Sequence, residues 1–175
     1  MILEERCYLV GMEDYMKILV FSDSHSNYKY IEKALEIHKG VADLVVFLGD
    51  GGRDIERVRS HYPNLQFFIV KGNCDVFSSA EYRDYSVLDL DGIKILITHG
   101  HLFGVKSGYD RILYRAEELG ADAVFFGHTH QPLDYSAYVG EKRIQLFNPG
   151  SIAYGGTYGV VNIANGVLVT SHGKI

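Results

Sequence analysis

The stretch that decides the fold is Met16-Lys-Ile-Leu-Val-Phe21, followed at once by Ser22-Asp23-Ser24-His25. A continuous apolar run of this length predicts a strand buried on both faces, as in a parallel sheet. Asp23 and His25 come directly after it, and residues two apart in an extended segment point to the same side. The pair is suited to one metal ion, but alone it is more typical of a strand-end turn that caps a helix.

Four further apolar runs end in the same kind of polar side chain. They lead into Gly49-Asp50, Gly72-Asn73, Thr98-His99 and Gly127-His128-Thr129-His130. The motifs are about 25 residues apart, the length of one strand with its crossover. Because ligands in an open α/β sheet collect beyond the carboxyl ends of the strands, we expect these side chains to meet at one edge.

The side chains at these strand ends form a mixed oxygen and nitrogen donor set, which suits Mn²⁺, Fe, Zn²⁺ or Co²⁺. The predicted ligands are Asp23, His25, Asp50, Asn73, His99, His128 and His130. Seven donors exceed the three or four protein ligands that a single catalytic ion takes. The set therefore predicts two ions, about 3.5–4 Å apart, bridged by one carboxylate.

The order of the predicted elements indicates more than one sheet. Helices predicted over residues 26–40 and 54–62 alternate with strands over 43–48 and 66–70. Later segments pair as hairpins, first over 85–90 and 93–98 around Asp91-Gly92, the strongest short hairpin signal. Helices early and hairpins late favour an α/β domain with two sheets.

The bulk composition bounds the class of protein. The 175 residues suit one domain over residues 16–175, preceded by an extension over 1–15 or by an extra element there that packs on the domain. A net charge of −5 provides no basic surface for nucleic acid or membrane. Two cysteines, Cys7 and Cys74, do not suggest a disulfide scaffold. Glu4, Glu5 and Arg6 interrupt any signal peptide, so we expect a cytoplasmic protein.

The motifs D-x-H, G-D, G-N-x-D, T-H-G-H and G-H-T-H, in this order, resemble the calcineurin-like metallophosphoesterase superfamily. Within it, Gly72-Asn73-Cys74-Asp75 and Asn148-Pro149-Gly150-Ser151 are similar to the small phosphodiesterases of the YfcE type. The similarity extends to Vps29, the retromer subunit, and covers residues 16 to about 170. It implies a four-layer α/β/β/α sandwich with two mixed β-sheets.

The resemblance also implies roles for the ligands. Asp23, His25, Asp50 and His130 would hold the first ion, and Asp50, Asn73, His99 and His128 the second. Asp50 would then be the catalytic bridge. The family commonly uses Mn²⁺, and Ni²⁺, Fe, Zn²⁺ or Co²⁺ also fit. The implied activity is phosphodiester hydrolysis, with in-line attack by hydroxide shared between the ions and no covalent enzyme intermediate.

One position departs from the family pattern. Many relatives carry histidine, the usual proton donor to the leaving group, where this chain has Cys74. A thiol with an ordinary pKa of about 8.5 is a poor general acid at neutral pH. We therefore expect a preference for good leaving groups, or another donor such as His101, which is equally interpretable as a structural histidine. Asp75 is expected to orient the third motif or to bond a ligand.

The sequence predicts few substrate contacts. Asn73 and Arg53 are candidates for a phosphate, although Arg53 is more typical of a solvated surface residue. Asn148-Pro149-Gly150-Ser151 is interpreted as a turn in the site wall. The expected partner is a small phosphodiester or phosphate ester, and exposed late strands would suit a homo-oligomer.

Two other functions have to be weighed. The alternative of a Vps29-like interaction scaffold with a vestigial metal site is disfavoured by the complete set of seven ligands. A metallo-β-lactamase-type hydrolase would need a His-x-His-x-Asp-His cluster, which this sequence lacks.

Overall fold

The computed structural model describes residues 15–76 and 81–175, so all of the predicted extension except Tyr15 lies outside the described residues. The strands are β1 (Met16–Phe21), β2 (Leu44–Phe47), β3 (Gln66–Ile69), β4 (Tyr85–Leu90), β5 (Ile93–Thr98), β6 (Ala123–Phe126), β7 (Pro132–Val139), β8 (Lys142–Pro149), β9 (Thr157–Ala164) and β10 (Val167–Lys174). The helices are α1 (Tyr28–Ile37), α2 (Gly52–His61) and α3 (Asp110–Glu118), with a 3₁₀ turn over His101–Phe103.

The strands form two mixed sheets of five strands each. The first has the order β10-β9-β1-β2-β3. In it β1, β2 and β3 run parallel to one another, and β9 pairs antiparallel with both of its neighbours, β1 and β10. The second has the order β4-β5-β6-β8-β7, with a parallel centre and antiparallel edges. Phe21 pairs with Phe47, and Thr98 pairs with Phe126, so neighbouring parallel strands end level.

The two sheets pack face to face. Alternate side chains of β1 point to opposite faces of its sheet, so one set reaches the second sheet and the other set reaches the helices. Ile18 and Val20 contribute to the core between the sheets, together with Ile97 and Phe125 of the second sheet. Burying each such side chain stabilises the fold by about 2 kcal/mol.

The outer faces of both sheets are covered by helices. Ile31 of α1 and Ile55 of α2 pack against the first sheet, and Ile112 of α3 packs against the second. The layers therefore follow the order α/β/β/α, and the predicted fold class is confirmed.

The helix boundaries differ from prediction by up to three residues: α1 spans Tyr28–Ile37 within the predicted 26–40, and α2 is shifted toward the N-terminus. This helix begins at Gly52 rather than at residue 54, because the carboxylate of Asp75 caps its first turn from another loop. Periodicity within the helix carries no sign of such a distant cap. β10 stays paired with β9 along its whole length, as far as the pair Lys174 and Thr157. None of the helices in the described part of the chain is long and apolar enough to cross a membrane.

Candidate metal centre

The loops that follow the parallel strands lie side by side, as their backbone hydrogen bonds show. The Asp23 N–H donates to Gly49 O (2.9 Å), and the His25 N–H donates to Asp50 O (3.2 Å). In the second sheet the Gly127 N–H donates to His99 O (3.1 Å). These bonds continue the sheet ladders beyond the strands, so the motifs of each sheet reach one edge of the molecule together.

Three predicted ligands form a first group, in which one ligand atom from each lies within 4.8 Å of the others: Asp23, His25 and His130. His130 Nε2 is 3.1 Å from Asp23 Oδ1 and 3.4 Å from His25 Nε2. Asp23 is fully buried, whereas both histidines are partly exposed. The group is therefore anchored inside the protein and open to solvent on the histidine side.

A second group consists of Asp50, His99 and His128, again within 4.8 Å of one another. His99 Nε2 lies 3.4 Å from Asp50 Oδ2. Its Nδ1 is 2.7 Å from Leu48 O, an arrangement in which Nδ1–H donates to the carbonyl and the Nε2 lone pair faces the centre. Asp50 also lies within 4.8 Å of His25, so it stands between the two groups.

Asn73, the seventh predicted ligand, is connected to Asp50 by hydrogen bonds that pass through Cys74. Its amide Nδ2 donates to Cys74 Sγ (3.3 Å), and the Cys74 N–H donates to Asp50 Oδ1 (2.8 Å). The structure thus brings six predicted ligands into two groups and places Asn73, which is exposed, at their edge.

Two buried atoms test whether this site fits cations. Asp23 Oδ1 and His99 Nε2 are buried without a hydrogen-bond partner, although they lie only 3.9 Å apart. Buried polar atoms are nearly always hydrogen-bonded, and an unsatisfied one costs about 1–3 kcal/mol. Divalent cations between the two groups would satisfy both atoms. The donor set, carboxylate with imidazole, is also one that such ions accept.

The backbone at the centre is unusual in conformation. Five predicted ligands have positive φ angles: Asp23 (56°), His25 (40°), Asp50 (60°), His128 (67°) and His130 (61°). Left-handed backbone at a residue with a side chain costs about 1–2 kcal/mol and persists only where the surroundings hold it. Such outliers concentrate at functional sites. The motifs carried no sign of this feature.

A single carboxylate holds the second and third motifs together. Asp75 Oδ2 accepts from the N–H groups of Asp50 (2.8 Å) and Gly72 (2.8 Å), and Oδ1 accepts from those of Gly51 (2.9 Å) and Gly52 (2.7 Å). Of the two roles predicted for Asp75, these contacts correspond to orientation of the loop.

Charged groups at the second group shift one another's pKa values. Burial opposes ionisation of Asp50, but the nearby His99 ring, with Nε2 3.4 Å from Asp50 Oδ2, outweighs it, and the pKa of Asp50 is lowered. Burial likewise opposes protonation of His99, yet Asp50 and Asp23 raise the pKa of His99 overall. Burial, followed by the charge of His99, lowers the pKa of His128 to about 4. His128 is therefore a neutral imidazole at neutral pH, ready to donate a lone pair.

The two candidate proton donors both lie at the centre. Cys74 Sγ is within 4.8 Å of ligand atoms of His25 and Asp50. Burial of the sulfur, and then the Asp50 carboxylate, raise the pKa of Cys74 to about 11. The His101 ring is 5.4 Å from that of His99, and its buried Nδ1 has no hydrogen-bond partner. Burial and the charge of His99 lower the pKa of His101.

Arg53 occupies a separate part of the site. It is an exposed residue of α2 and lines a cavity of about 240 Å³, which also includes His25, Asp50, Cys74 and Asp75. Arg53 thus lines a cavity that reaches the centre.

Several supporting residues were not predicted. Asp54 Oδ2 accepts from Ser24 Oγ (2.6 Å) and from the Ser26 N–H (2.8 Å), which ties α2 to the first motif. Asp23 Oδ2 accepts from Ser22 Oγ (2.6 Å) and from the His128 N–H (3.1 Å). Their only sequence signal is proximity to a motif.

The Asn148-Pro149-Gly150-Ser151 segment lies behind the centre. Asn148 Nδ2 donates to Gly127 O (2.9 Å), and Ser151 Oγ donates to Asp23 O (2.9 Å). These bonds brace the first and last motifs against each other. The aromatic ring that follows, Tyr154, contacts His25 and His130.

Comparison with known proteins identifies the family. Residues 16–166 match the calcineurin-like phosphoesterase superfamily domain. The chain is 36% identical over 141 residues to the probable metallophosphoesterase YsnB of Bacillus subtilis, covering 78% of this chain and 75% of that protein. It is 28% identical over 164 residues to the phosphodiesterase YfcE of Escherichia coli K12, covering 79% and 80%.

Solved structures agree with the fold. A predicted phosphoesterase from Streptococcus pneumoniae has a TM-score of 0.73 and 28% identity, covering 91% of this chain and 89% of that one. Vps29 of Cryptosporidium parvum has a TM-score of 0.68 over 91% of this chain and 97% of its own, but its 15% identity concerns the fold alone.

The chain therefore belongs to the calcineurin-like phosphoesterase superfamily, a family of hydrolases. The predicted resemblance and the prediction of an enzyme are confirmed. The scaffold alternative, the cytoplasmic location and the homo-oligomer stay predictions.

Proposed function

We propose that the protein is a dinuclear metal-dependent phosphodiesterase in which Asp50 bridges two divalent cations. The observation that supports this most directly is the meeting of two donor groups at Asp50, with Asp23 Oδ1 and His99 Nε2 buried and unpaired between them. The phosphodiesterase YfcE, matched over most of both chains, supports a diester as substrate.

The residues that would hold the ions are those of the two groups. Asp23, His25, Asp50 and His130 would bind the first ion. Asp50, Asn73, His99 and His128 would bind the second, with Mn²⁺ as the proposed metal. Bound ions of this kind supply hydroxide from water at neutral pH and neutralise charge on phosphoryl oxygens.

The protein's own residues prepare this chemistry. Asp50 stays ionised, because its pKa is lowered by His99, and so remains a carboxylate ligand at neutral pH. Asp75 holds the Asp50 and Gly72 loops at one separation. Arg53 is proposed to attract the phosphate into the adjoining cavity, and the Asn73 amide to contact it.

Neither candidate donor, Cys74 or His101, is expected to protonate the leaving group efficiently. In the metal-free protein the pKa of Cys74 is raised to about 11, which makes the thiol a poor acid. The pKa of His101 is lowered there, so only a small fraction of its imidazole is protonated and able to donate at neutral pH. We therefore propose that the enzyme prefers esters whose leaving groups depart without protonation, and that His101 supplies any donation that occurs.

The proposal is tested by loading metal-free protein with Mn²⁺, counting bound ions, and assaying bis-p-nitrophenyl phosphate beside p-nitrophenyl phosphate. We expect two ions per chain and turnover of the diester. Asp50→Asn should lose both ions and at least about 10²-fold in rate, whereas Asp89→Asn, an exposed position on β4, should match the parent. Lack of both stoichiometric metal and turnover would refute the enzyme, and turnover of the monoester alone would refute the diesterase.

The weak-acid proposal has its own test. Rates for a series of p-nitrophenyl, phenyl and alkyl diesters should fall steeply as the pKa of the leaving group rises. Equal rates across the series would mean that a competent acid is present. If His101→Ala slows only the alkyl esters, His101 is the donor; if it changes none of them, His101 is cleared of that role.

A further inference from the structure

Tyr154 is an exposed aromatic ring beside the first donor group. Its centroid lies 5.3 Å from that of His25 and 5.2 Å from that of His130, with interplanar angles of 39° and 33°. The side chain is nevertheless 72% exposed. An aromatic wall thus borders the centre on the side of the first group and faces solvent.

The backbone that carries this ring is tied to the first motif. The N–H groups of Ile152 and Ala153 donate to Ser22 O (3.1 Å) and Asp23 O (3.3 Å). The Tyr154 N–H donates to Ser151 Oγ (3.1 Å), and Ser151 Oγ in turn donates to Asp23 O. The backbone that carries the ring is therefore held in place beside the centre, and only two side-chain torsions remain to be ordered when a ligand binds.

Packing on the histidines does not account for the position of this ring. A second tyrosine, Tyr158, also contacts a histidine, with its centroid 5.7 Å from that of His38. Tyr158 is 3% exposed and belongs to the core around α1 and α2, as a packing role requires. Tyr154 makes comparable ring contacts but leaves most of its surface uncovered beside a site built for phosphate esters.

We propose that Tyr154 determines substrate specificity by stacking on a flat aromatic group, a nucleobase or an aryl ring, carried by one ester arm of the phosphodiester. The inference rests on the proposed function, since the centre has to hold the phosphoryl group for the ring to meet the arm. Stacking between an aromatic side chain and a base is worth about 1–3 kcal/mol and tolerates any base, because every base has a π-face.

The test uses binding rather than turnover. The Mn²⁺-loaded protein is titrated calorimetrically with methylphosphonate and phenylphosphonate, which share the anion, resist hydrolysis and differ in the aromatic ring. We expect phenylphosphonate to bind about tenfold more tightly. A second pair, ribose 5-phosphate and thymidine 5′-monophosphate, reports whether a nucleobase gains in the same way. A gain in this pair would indicate a nucleoside arm, and a gain in the first pair alone an aryl arm.

Variants of Tyr154 distinguish binding by its ring from binding by its hydroxyl, and a variant of another exposed tyrosine controls for the loss of any surface ring. Tyr154→Phe should keep the preference, whereas Tyr154→Ala and Tyr154→Leu, the second of which retains an apolar side chain, should reduce it to about twofold or less. Tyr138→Ala removes an equally exposed tyrosine from β7 and should leave the preference intact. Thermal unfolding of each variant checks that it is folded.

Three results would overturn the inference: no preference for the aromatic member of either pair in the parent, an unchanged preference in Tyr154→Ala, or loss of the preference in Tyr154→Phe, which would assign the effect to the hydroxyl. Failure of the inference is distinct from failure of the proposed function. Diester turnover with an unchanged preference in Tyr154→Ala refutes only the stacking. A preference that depends on Tyr154 without any diester turnover refutes only the diesterase.

Discussion

At the scale of single residues, Asp75 is the side chain on which the geometry of the centre depends most. It accepts four backbone N–H groups from two loops. Asp75→Asn removes the charge and turns an amide N–H₂ toward some of these donors. We expect the free energy of unfolding to fall by about 3 kcal/mol, because hydrogen bonds to a charged group are worth roughly 1.5–3 kcal/mol each. Urea unfolding of the metal-free protein measures the change.

The control for this prediction is Asp89→Asn on β4, which alters the net charge equally at an exposed position. We expect Asp75→Asn also to weaken Mn²⁺ binding, since the Asp50 loop loses its anchor. Equal stability of the two variants would contradict the role assigned to Asp75.

His38, which contacts Tyr158 rather than the metal centre, is expected to make the stability of the protein depend on pH. Its Nε2 is hydrogen-bonded to the Tyr158 hydroxyl (3.1 Å), and burial, followed by the charge of Lys17, lowers the pKa of His38. Between this lowered pKa and the unfolded value of about 6.5, the unfolded chain binds more protons than the folded one. The free energy of unfolding should therefore fall as the pH drops below about 6.5.

The contribution of His38 is isolated by comparing the parent with His38→Gln in EDTA. Unfolding in urea at several pH values between about 7.5 and 5 should show a smaller loss of stability in the variant. The remaining histidines titrate in both proteins and cancel in the difference. Parallel pH curves for the two proteins would exclude the effect.

At the scale of elements, the close approach of the loops after β2 and β3 depends on Gly72. A Cβ at this position would lie 2.1 Å from Asp50 Oδ1 and 2.4 Å from Asp50 N, where no atom fits. Gly72→Ala should force the loops apart, destabilise the protein by about 2–3 kcal/mol and weaken ion binding at the second group. Chemical unfolding and Mn²⁺ titration measure the two effects.

Gly92 provides a matched control, because a side chain there would meet backbone strain but no steric clash, whereas at Gly72 it would meet a steric clash. It has a φ of 77° in the β4–β5 turn, but a Cβ there would meet no atom within 4 Å. Gly92→Ala should cost only about 1–2 kcal/mol of backbone strain and leave ion affinity unchanged. Equal ion affinity in the two variants would show that loop separation does not matter for the site.

Elements that depend on local patterns could be predicted from the sequence, and elements that depend on distant contacts could not. The bounds of β4, β5 and β6 follow from apolar runs and a hairpin signal, both of which are local. The start of α2 does not, because its cap comes from Asp75 through a contact between distant segments. The meeting of six predicted ligands at one edge of the molecule could be expected from their strand-end positions alone. Tyr154 could not, since no local pattern tells which aromatic residue in a loop faces the centre and which joins a core.

At the scale of the whole molecule, the candidate centre joins the two sheets. Asp23 and Asp50 follow strands of the first sheet, whereas His99, His128 and His130 follow strands of the second. Ions bound between them would link the halves of the sandwich and stabilise the folded state only. At 100 times its dissociation constant, one such ion adds about 2.7 kcal/mol to the free energy of unfolding.

We therefore expect Mn²⁺ to raise the midpoint of thermal unfolding of the parent by several degrees and EDTA to reverse the shift. Asp50→Asn, which removes the shared carboxylate, should show little response to the metal. A parent protein whose midpoint ignores Mn²⁺ would contradict the placement of the ions between the sheets.

The left-handed backbone at five predicted ligands has a consequence for how such a protein changes over generations. At these positions glycine would satisfy the chain better than aspartate or histidine, so mutations that abolish ion binding also relieve strain. A mutation to glycine at His25, His128 or His130 would therefore remove a proposed ligand and leave the metal-free sandwich at least as stable as before. The stability of the fold alone does not favour an imidazole at these three positions, whereas the carboxylates of Asp23 and Asp50 also accept hydrogen bonds from neighbouring backbone.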